Sequence, residues 1–174
     1  ILRSDHLLHL RCEVSYANLP EVFDMLSGHE MVRLASLMDH TPGQRQFVSE
    51  DKYRLYFQSK YKLNDKDMDA FIYERRQDQK IFSEKHRRYI VDKCRAQNIS
   101  LASHDDATAE LVKEAVSDGV IIAEFPTTIE AARASHENGI KVLMGGPNVV
   151  RGGSHSGNIS ARELADAGVL DIIS

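Results

Sequence analysis

The sequence lacks most features that mark specialised classes of protein. Its two cysteines form neither a disulfide framework nor a CxxC metal motif, which predicts a reducing cytoplasm. No apolar run approaches the length of a membrane span, no signal peptide opens the chain, and the net charge of -4 comes with no long basic tract. We therefore expect a cytoplasmic protein that binds neither nucleic acid nor membranes, and the sequence is compatible with a homo-oligomer.

Six short, mostly apolar runs have the character of strands buried in a parallel sheet. Helical patterns stand between most of them, each with a Pro, Ser or Thr start and a glycine stop. This alternation predicts βα units. The predicted strands span residues 7–14, 32–38, 99–103, 120–125, 140–144 and 170–174.

One connection interrupts this rhythm between about residues 41 and 98, where no strand pattern occurs. Its second half predicts one long, heavily charged helix with a broken apolar stripe. We interpret the segment as a helical insertion that packs on one side and is otherwise solvated. A lid or a dimer contact is the alternative.

The fold class predicted is α/β, a partial (β/α)₈ barrel that lacks its first βα units. Both ends of the chain fall inside structural patterns, so residues 1–174 are expected to be the C-terminal portion of one barrel domain. A dinucleotide-binding fold is disfavoured, because no GxGxxG follows the first strand. An open α/β sheet is the alternative.

Ionisable residues follow the predicted strands at their carboxyl ends. In a barrel these ends share the face that carries the active site, so the residues should converge. Histidines and carboxylates together are typical ligands of a divalent metal. The residues concerned are Glu13, Asp39, His40, His104, Asp105, Asp106, Glu124, Arg151 and His155.

Other residues near these positions have plainer interpretations. Arg11 lies two residues before Glu13 on the same strand face and is the simplest partner for its charge. His6, His29, His86 and His136 are predicted to be surface residues. His9 stays unassigned.

The glycine-rich stretch "MGGPNVVRGGSHSGN" (residues 144–158) joins a predicted strand to a helix that Ser160 can cap. Glycine lets backbone amides approach a ligand closely, and arginine offers a planar fork to phosphate. We interpret the stretch as an anion cradle.

Five blocks of the sequence resemble those of the α-D-ribose 1-methylphosphonate 5-triphosphate diphosphatases, a family of the carbon–phosphorus lyase pathway and the amidohydrolase superfamily. The blocks occur in the right order and span nearly the whole chain. They are "LHLRCEVS", "SLMDHTPGQRQF", "LASHDDAT", "EFPTTIEAA" and "GGPNVVRGGSHSGNISARELA".

The resemblance implies a metal-dependent hydrolase whose partner is a small-molecule phosphorylated ribose phosphonate and which releases diphosphate in phosphonate metabolism. It implies two divalent ions, zinc, manganese or similar, with Glu13 as bridging carboxylate and His40 and His104 as ligands. Further ligands would lie before Ile1 and after Ser174. The fragment alone is then expected to be inactive.

The catalytic candidates are His104, Asp105 and His155. The candidates for phosphate binding are Arg45, Arg151, Gly152, Gly153, Ser154, His155 and Asn158. The alternatives are hydrolysis of a C–N bond at the same metal site, as in deacetylases and cyclic amidases, and a non-catalytic sugar-phosphate-binding fragment.

Overall fold

The computed structural model describes residues 5–45, 49–154 and 157–174, which form six strands and seven helices. The strands are β1 (Leu8–Glu13), β2 (Val32–Met38), β3 (Ser100–His104), β4 (Ile122–Glu124), β5 (Lys141–Met144) and β6 (Ile172–Ile173). The helices are α1 (Leu19–Ser27), α2 (Glu50–Tyr61), α3 (Asp65–Gln97), α4 (Ala109–Asp118), α5 (Ile129–Glu137), α6 (Gly146–Arg151) and α7 (Ala161–Asp166).

All six strands pair in parallel, and their order in the sheet is their order in the chain. The predicted α/β class is therefore confirmed, with every predicted strand present. In the described residues β1 and β6 lie at the two edges of the sheet. The closed barrel stays a prediction.

One face of the sheet is apolar and carries the helices. Because side chains alternate along a strand, Cys12, Leu37, Leu101 and Ala123 point to the same side. Their neighbours in the main core come from α1, α3, α4 and α5, with Phe23 among the most deeply buried. A second core beneath α5 and α7 continues this layer at β5.

The opposite face of the sheet carries ionisable side chains. The strand register places Glu13, Met38, His104 and Glu124 in one row across four strands, and Arg11 lies one step earlier on the same face. The polar character of this face follows from the sequence "LHLRCE" of β1, in which every second residue is polar. Burial of the alternate residues against the helices thus commits the polar ones to a shared surface.

The helical insertion packs against the sheet through α3, which is 33 residues long. Ile90, Val91 and Cys94 near its C-terminal end join the main core, whereas Met68 and Ile72 near its start join a separate cluster with α2. The predicted apolar stripe is thus confirmed. Within the described residues, no helix combines the length and apolar character needed to cross a membrane.

His86 of α3 was predicted to be a surface residue. This prediction is wrong, because His86 is only 3% exposed. Its Nδ1 lies 3.1 Å from the Val14 carbonyl oxygen, and its ring stacks on Phe82 one turn earlier. The fixed bond to the end of β1 compensates for burying the imidazole.

The predicted caps are present at several helix starts. Thr108, Thr128 and Ser160 each accept a backbone hydrogen bond from the third helical residue, and Ser160 forms a complete capping box with Glu163. The glycine-rich stretch contains a helix that the sequence analysis did not predict, α6, with proline in its first turn and Gly152 at its end.

Candidate active site

Three side chains at neighbouring strand ends come together at the carboxyl edge of the sheet. His40 follows β2, His104 ends β3, and Asp105 comes directly after it. Each offers a ligand atom, and these atoms all lie within 4.8 Å of one another. His104 and Asp105 are buried, whereas His40 is half-buried. We refer to His40, His104 and Asp105 as the histidine–aspartate cluster.

Asp105 holds the cluster together. Its Oδ2 accepts a hydrogen bond from His104 Nδ1 at 2.7 Å and lies 3.4 Å from His40 Nε2. The residue has a left-handed backbone with φ 56°, a conformation that aspartate tolerates better than most residues. Its amide donates to the Glu124 carbonyl at 2.9 Å. Such a turn is uncommon outside glycine and often marks a functional position.

Glu13 contacts this cluster through His40. One carboxylate oxygen lies 2.6 Å from His40 Nδ1, and the other accepts the His40 backbone amide at 2.8 Å. Glu13 therefore orients both the ring and the main chain of His40, while His40 Nε2 faces Asp105. Its assignment as a bridging metal ligand stays a prediction.

The two carboxylates control the charge of His40. Burial lowers the pKa of His40, but hydrogen bonds to Asp105 and Glu13 outweigh it and raise the pKa to about 9. Burial likewise opposes ionisation of Asp105, whereas its bonds with His104 and His40 lower its pKa. The resulting arrangement is a protonated imidazole between two carboxylates.

His104 has a different partner on each ring nitrogen. Its Nδ1 donates to Asp105, so its Nε2 accepts from Arg11 Nη2 at 3.1 Å. An arginine is always a donor, which assigns the neutral Nδ1–H tautomer to His104. From the sequence, Arg11 was expected to pair with Glu13, whereas in the structure it contacts His104.

Arg45, a predicted phosphate candidate, lies in a buried set of contacts after β2. Its side chain is buried and forms an ion pair with Asp106, and its Nη1 also donates to the His104 carbonyl at 3.3 Å. Glu114 Oε2 lies 3.5 Å from Nη2. These contacts anchor the loop after β2 to the residues that follow β3, and the role of Arg45 as a phosphate ligand stays a prediction.

The strand-end carboxylates Asp39 and Glu124 are not among the three groups whose ligand atoms lie within 4.8 Å of one another. Asp39 accepts the Thr41 amide at 3.0 Å and contacts Ser83 of α3 at 3.3 Å. Glu124 accepts from Ser36 at 2.6 Å, and Ser36 in turn bonds His9, which the sequence analysis left unassigned. Polar and apolar residues alternate along β1, and this alternation places His9 on the same face as Arg11 and Glu13. That pattern was the sequence signal that His9 faces the site.

Two amides of the glycine-rich stretch already have partners within the protein. The amides of Gly152 and Gly153 donate to the carbonyls of Val149 and Asn148, where they cap α6. The anion cradle, which includes residues outside the described part of the chain, stays a prediction. Arg151 is exposed in the last turn of α6.

The roles of three other candidates in this stretch stay predictions. Ser154 and Asn158 are half-buried on either side of residues 155–156. The predicted role of His155 concerns a residue outside the described part of the chain.

Histidine and carboxylate groups at the carboxyl ends of parallel strands, opposite a helix-covered core, define an α/β protein with a strand-end site suited to a divalent cation. No protein-family model and no solved structure matches the chain. The alpha-D-ribose 1-methylphosphonate 5-triphosphate diphosphatase of Escherichia coli (strain K12) is 52% identical to it over 172 residues. That match covers 99% of this chain and 46% of the relative, so the chain spans less than half of the relative's length. The predicted resemblance to this diphosphatase is confirmed.

Proposed function

We propose that this chain is part of a phosphoric anhydride hydrolase that releases diphosphate from α-D-ribose 1-methylphosphonate 5-triphosphate in cytoplasmic phosphonate catabolism. The observation that carries the proposal is the 52% identity to the diphosphatase over nearly the whole chain. The histidine–aspartate cluster supports it, since hydrolysis of a phosphoric anhydride commonly uses a divalent cation.

We infer that residues 1–174 are the C-terminal portion of one (β/α)₈ barrel domain of the amidohydrolase superfamily. The strand order supports this inference, because a doubly wound sheet reverses its order at a switch point and this sheet does not. The two faces support it as well. Helices cover the outside of a barrel, and its inward-facing residues converge on the site at the carboxyl ends.

The donor set of the cluster fits a divalent cation such as zinc or manganese. Imidazole nitrogens and a carboxylate oxygen suit either ion, and the three groups already lie within 4.8 Å of one another. We propose His40 and His104 as ligands here, with Glu13 as the bridging carboxylate of a two-metal centre and Asp105 behind His104. When bound, such ions lower the pKa of a coordinated water and polarise a phosphoryl oxygen.

The residues of the chain would then position the metal ligands and bind the substrate. Asp105 fixes the tautomer and orientation of His104, as carboxylates behind metal-binding histidines commonly do. Glu13 fixes His40 in the same way from its Nδ1 side. Arg151, Ser154, His155 and Asn158 stay candidates for binding phosphoryl oxygens from the glycine-rich stretch.

The proposal is tested with the full-length protein and the methylphosphonate triphosphate as substrate. We expect diphosphate release that a chelator abolishes and added zinc or manganese restores. His104→Asn should lose both bound metal and activity, whereas His136→Asn, at a largely exposed position, should lose neither. Release of ammonia or a carboxylate from amide substrates, without diphosphate release, would favour C–N hydrolysis and overturn the proposal. Ligand binding without turnover would favour the sugar-phosphate-binding alternative.

A further inference from the structure

Arg11 lies beside the histidine–aspartate cluster with an unusual set of contacts. Its Nη2 donates to His104 Nε2 at 3.1 Å, and no carboxylate lies within ion-pair distance of it in the described part of the chain. Its side chain is exposed on the polar face of the sheet. Arg45 and Arg87 differ, because each is buried and pairs with two carboxylates.

The strand register explains why Arg11 reaches this position. Arg11 is the register partner of Ser36 in β2, and Ser36 is the partner of Ala102 in β3. His104 lies two residues beyond Ala102 on the same face, toward the carboxyl edge. The long side chain therefore extends across β2 toward that edge, where the cluster lies.

A neutral imidazole nitrogen is a modest partner for a guanidinium. Arginine presents five N–H donors in a planar fork that matches two oxygens of a phosphate, and its single bond to His104 leaves most of them available. A cation without a carboxylate partner beside a metal-binding cluster attracts an anion.

We propose that Arg11 is a specificity-determining residue that binds phosphoryl oxygens of the triphosphate next to the cluster. This assignment rests on the proposed function and deepens it. The Arg11 guanidinium also competes with a cation for the same lone pair, because His104 Nε2 cannot accept from Arg11 and ligate an ion at once. If His104 held an ion, Arg11 would have to leave the ring, and its donors would then be available to the substrate.

The test compares Arg11→Gln and Arg11→Lys with Arg33→Gln in the full-length protein. Arg33 is a suitable control, because it is an exposed arginine at the opposite end of β2 whose bonds go to backbone carbonyls. Loss of a charge-assisted phosphate contact should raise KM by roughly 10- to 100-fold in Arg11→Gln, with a smaller effect on kcat. Arg11→Lys should recover part of the loss, and Arg33→Gln should match the unmodified protein.

Two binding measurements make the test independent of turnover. The first is the affinity of the metal-free protein for inorganic diphosphate, measured by calorimetry with a chelator present. We expect the Arg11→Gln variant to bind diphosphate at least about 10-fold more weakly than the unmodified protein. Zinc alone should bind Arg11→Gln more tightly, since the competing guanidinium is gone. Unchanged binding of both probes, or an equal effect of Arg33→Gln, would overturn the role of Arg11. Absence of diphosphatase activity with these binding shifts intact would overturn the proposed function and leave a phosphate-binding arginine.

Discussion

The proton on His40 makes the stability of the metal-free protein depend on pH in an unusual direction. Burial opposes that proton, but Asp105 and Glu13 raise the pKa of His40 from 6.5 to about 9. A pKa raised by folding stabilises the folded state fully below the unfolded value near 6.5. That contribution is lost as the pH rises through about 9.

The magnitude follows from the change in pKa. Each factor of ten in proton affinity corresponds to about 1.4 kcal/mol, so His40 contributes on the order of 3 kcal/mol at pH 6. Asp105→Asn removes one of the two charges, keeps the shape, and suits the left-handed backbone at φ 56°. We expect this variant to lose roughly half of the pH-dependent contribution, that is about 1–2 kcal/mol.

The same proton competes with a metal ion. If His40 ligates zinc, the proton must leave, and zinc affinity should rise about tenfold per pH unit between 6.5 and 9. Calorimetry in buffers of different ionisation enthalpy would count the proton released.

Urea unfolding of the metal-free full-length protein from pH 6 to pH 10 measures the stability directly. His40→Asn is the control, since the difference between its curve and that of the unmodified protein isolates this one group from the lysines and tyrosines. Identical pH dependence in the two proteins, or zinc affinity that does not change with pH, would refute the reasoning.

Three further predictions concern stability and use urea unfolding. Arg45→Met should lower the free energy of unfolding by about 3–5 kcal/mol, because it leaves the Asp106 carboxylate buried without its cation. Recovery of stability in the double variant Arg45→Met with Asp106→Leu would confirm this cause, and a loss below about 1 kcal/mol in Arg45→Met would contradict it. Ile90→Ala, at a fully buried position of α3, should cost about 2–5 kcal/mol, and Ile81→Ala, 62% exposed on the same helix, less than about 0.5 kcal/mol; equal losses would mean that α3 does not pack on the sheet. Ser160→Ala should cost about 1 kcal/mol by removing the capping box of α7, and no change would show that the cap is redundant.

The layered fold was predictable because its signals are local. Apolar runs, Thr and Ser caps and glycine stops each depend on a few adjacent residues, and both ends of all six strands were predicted to within two residues. Helix α6 was missed because Gly145 offers no side-chain cap at its start and its glycines favoured an irregular connection, whereas α7, which is equally short, begins at a capping box.

The cluster was also predictable in part, whereas its contacts were not. The rule that active sites lie at strand ends named His40, His104 and Asp105 without knowledge of the register. Side-chain partners depend on distances across strands, which the sequence does not show. Arg11 was therefore predicted to pair with Glu13, whereas it contacts His104 in the structure. Arg45 had the composition of a phosphate ligand, but only the fold shows that Asp106 lies against it.

Adjacent residues of β1 are constrained in two different ways, because they alternate between the two faces of the sheet. Leu10, Cys12 and Val14 face the helices, where any apolar residue of similar volume should suffice, while Arg11 and Glu13 face the site, where chemical identity matters. Loss of a single residue within the strand would turn both sets to the wrong side, whereas changes of length in the loops would leave the alternation intact. Changes in loop length would therefore leave the two faces of the sheet in place, whereas the spacing within each strand is fixed by the packing on one face and by the site on the other.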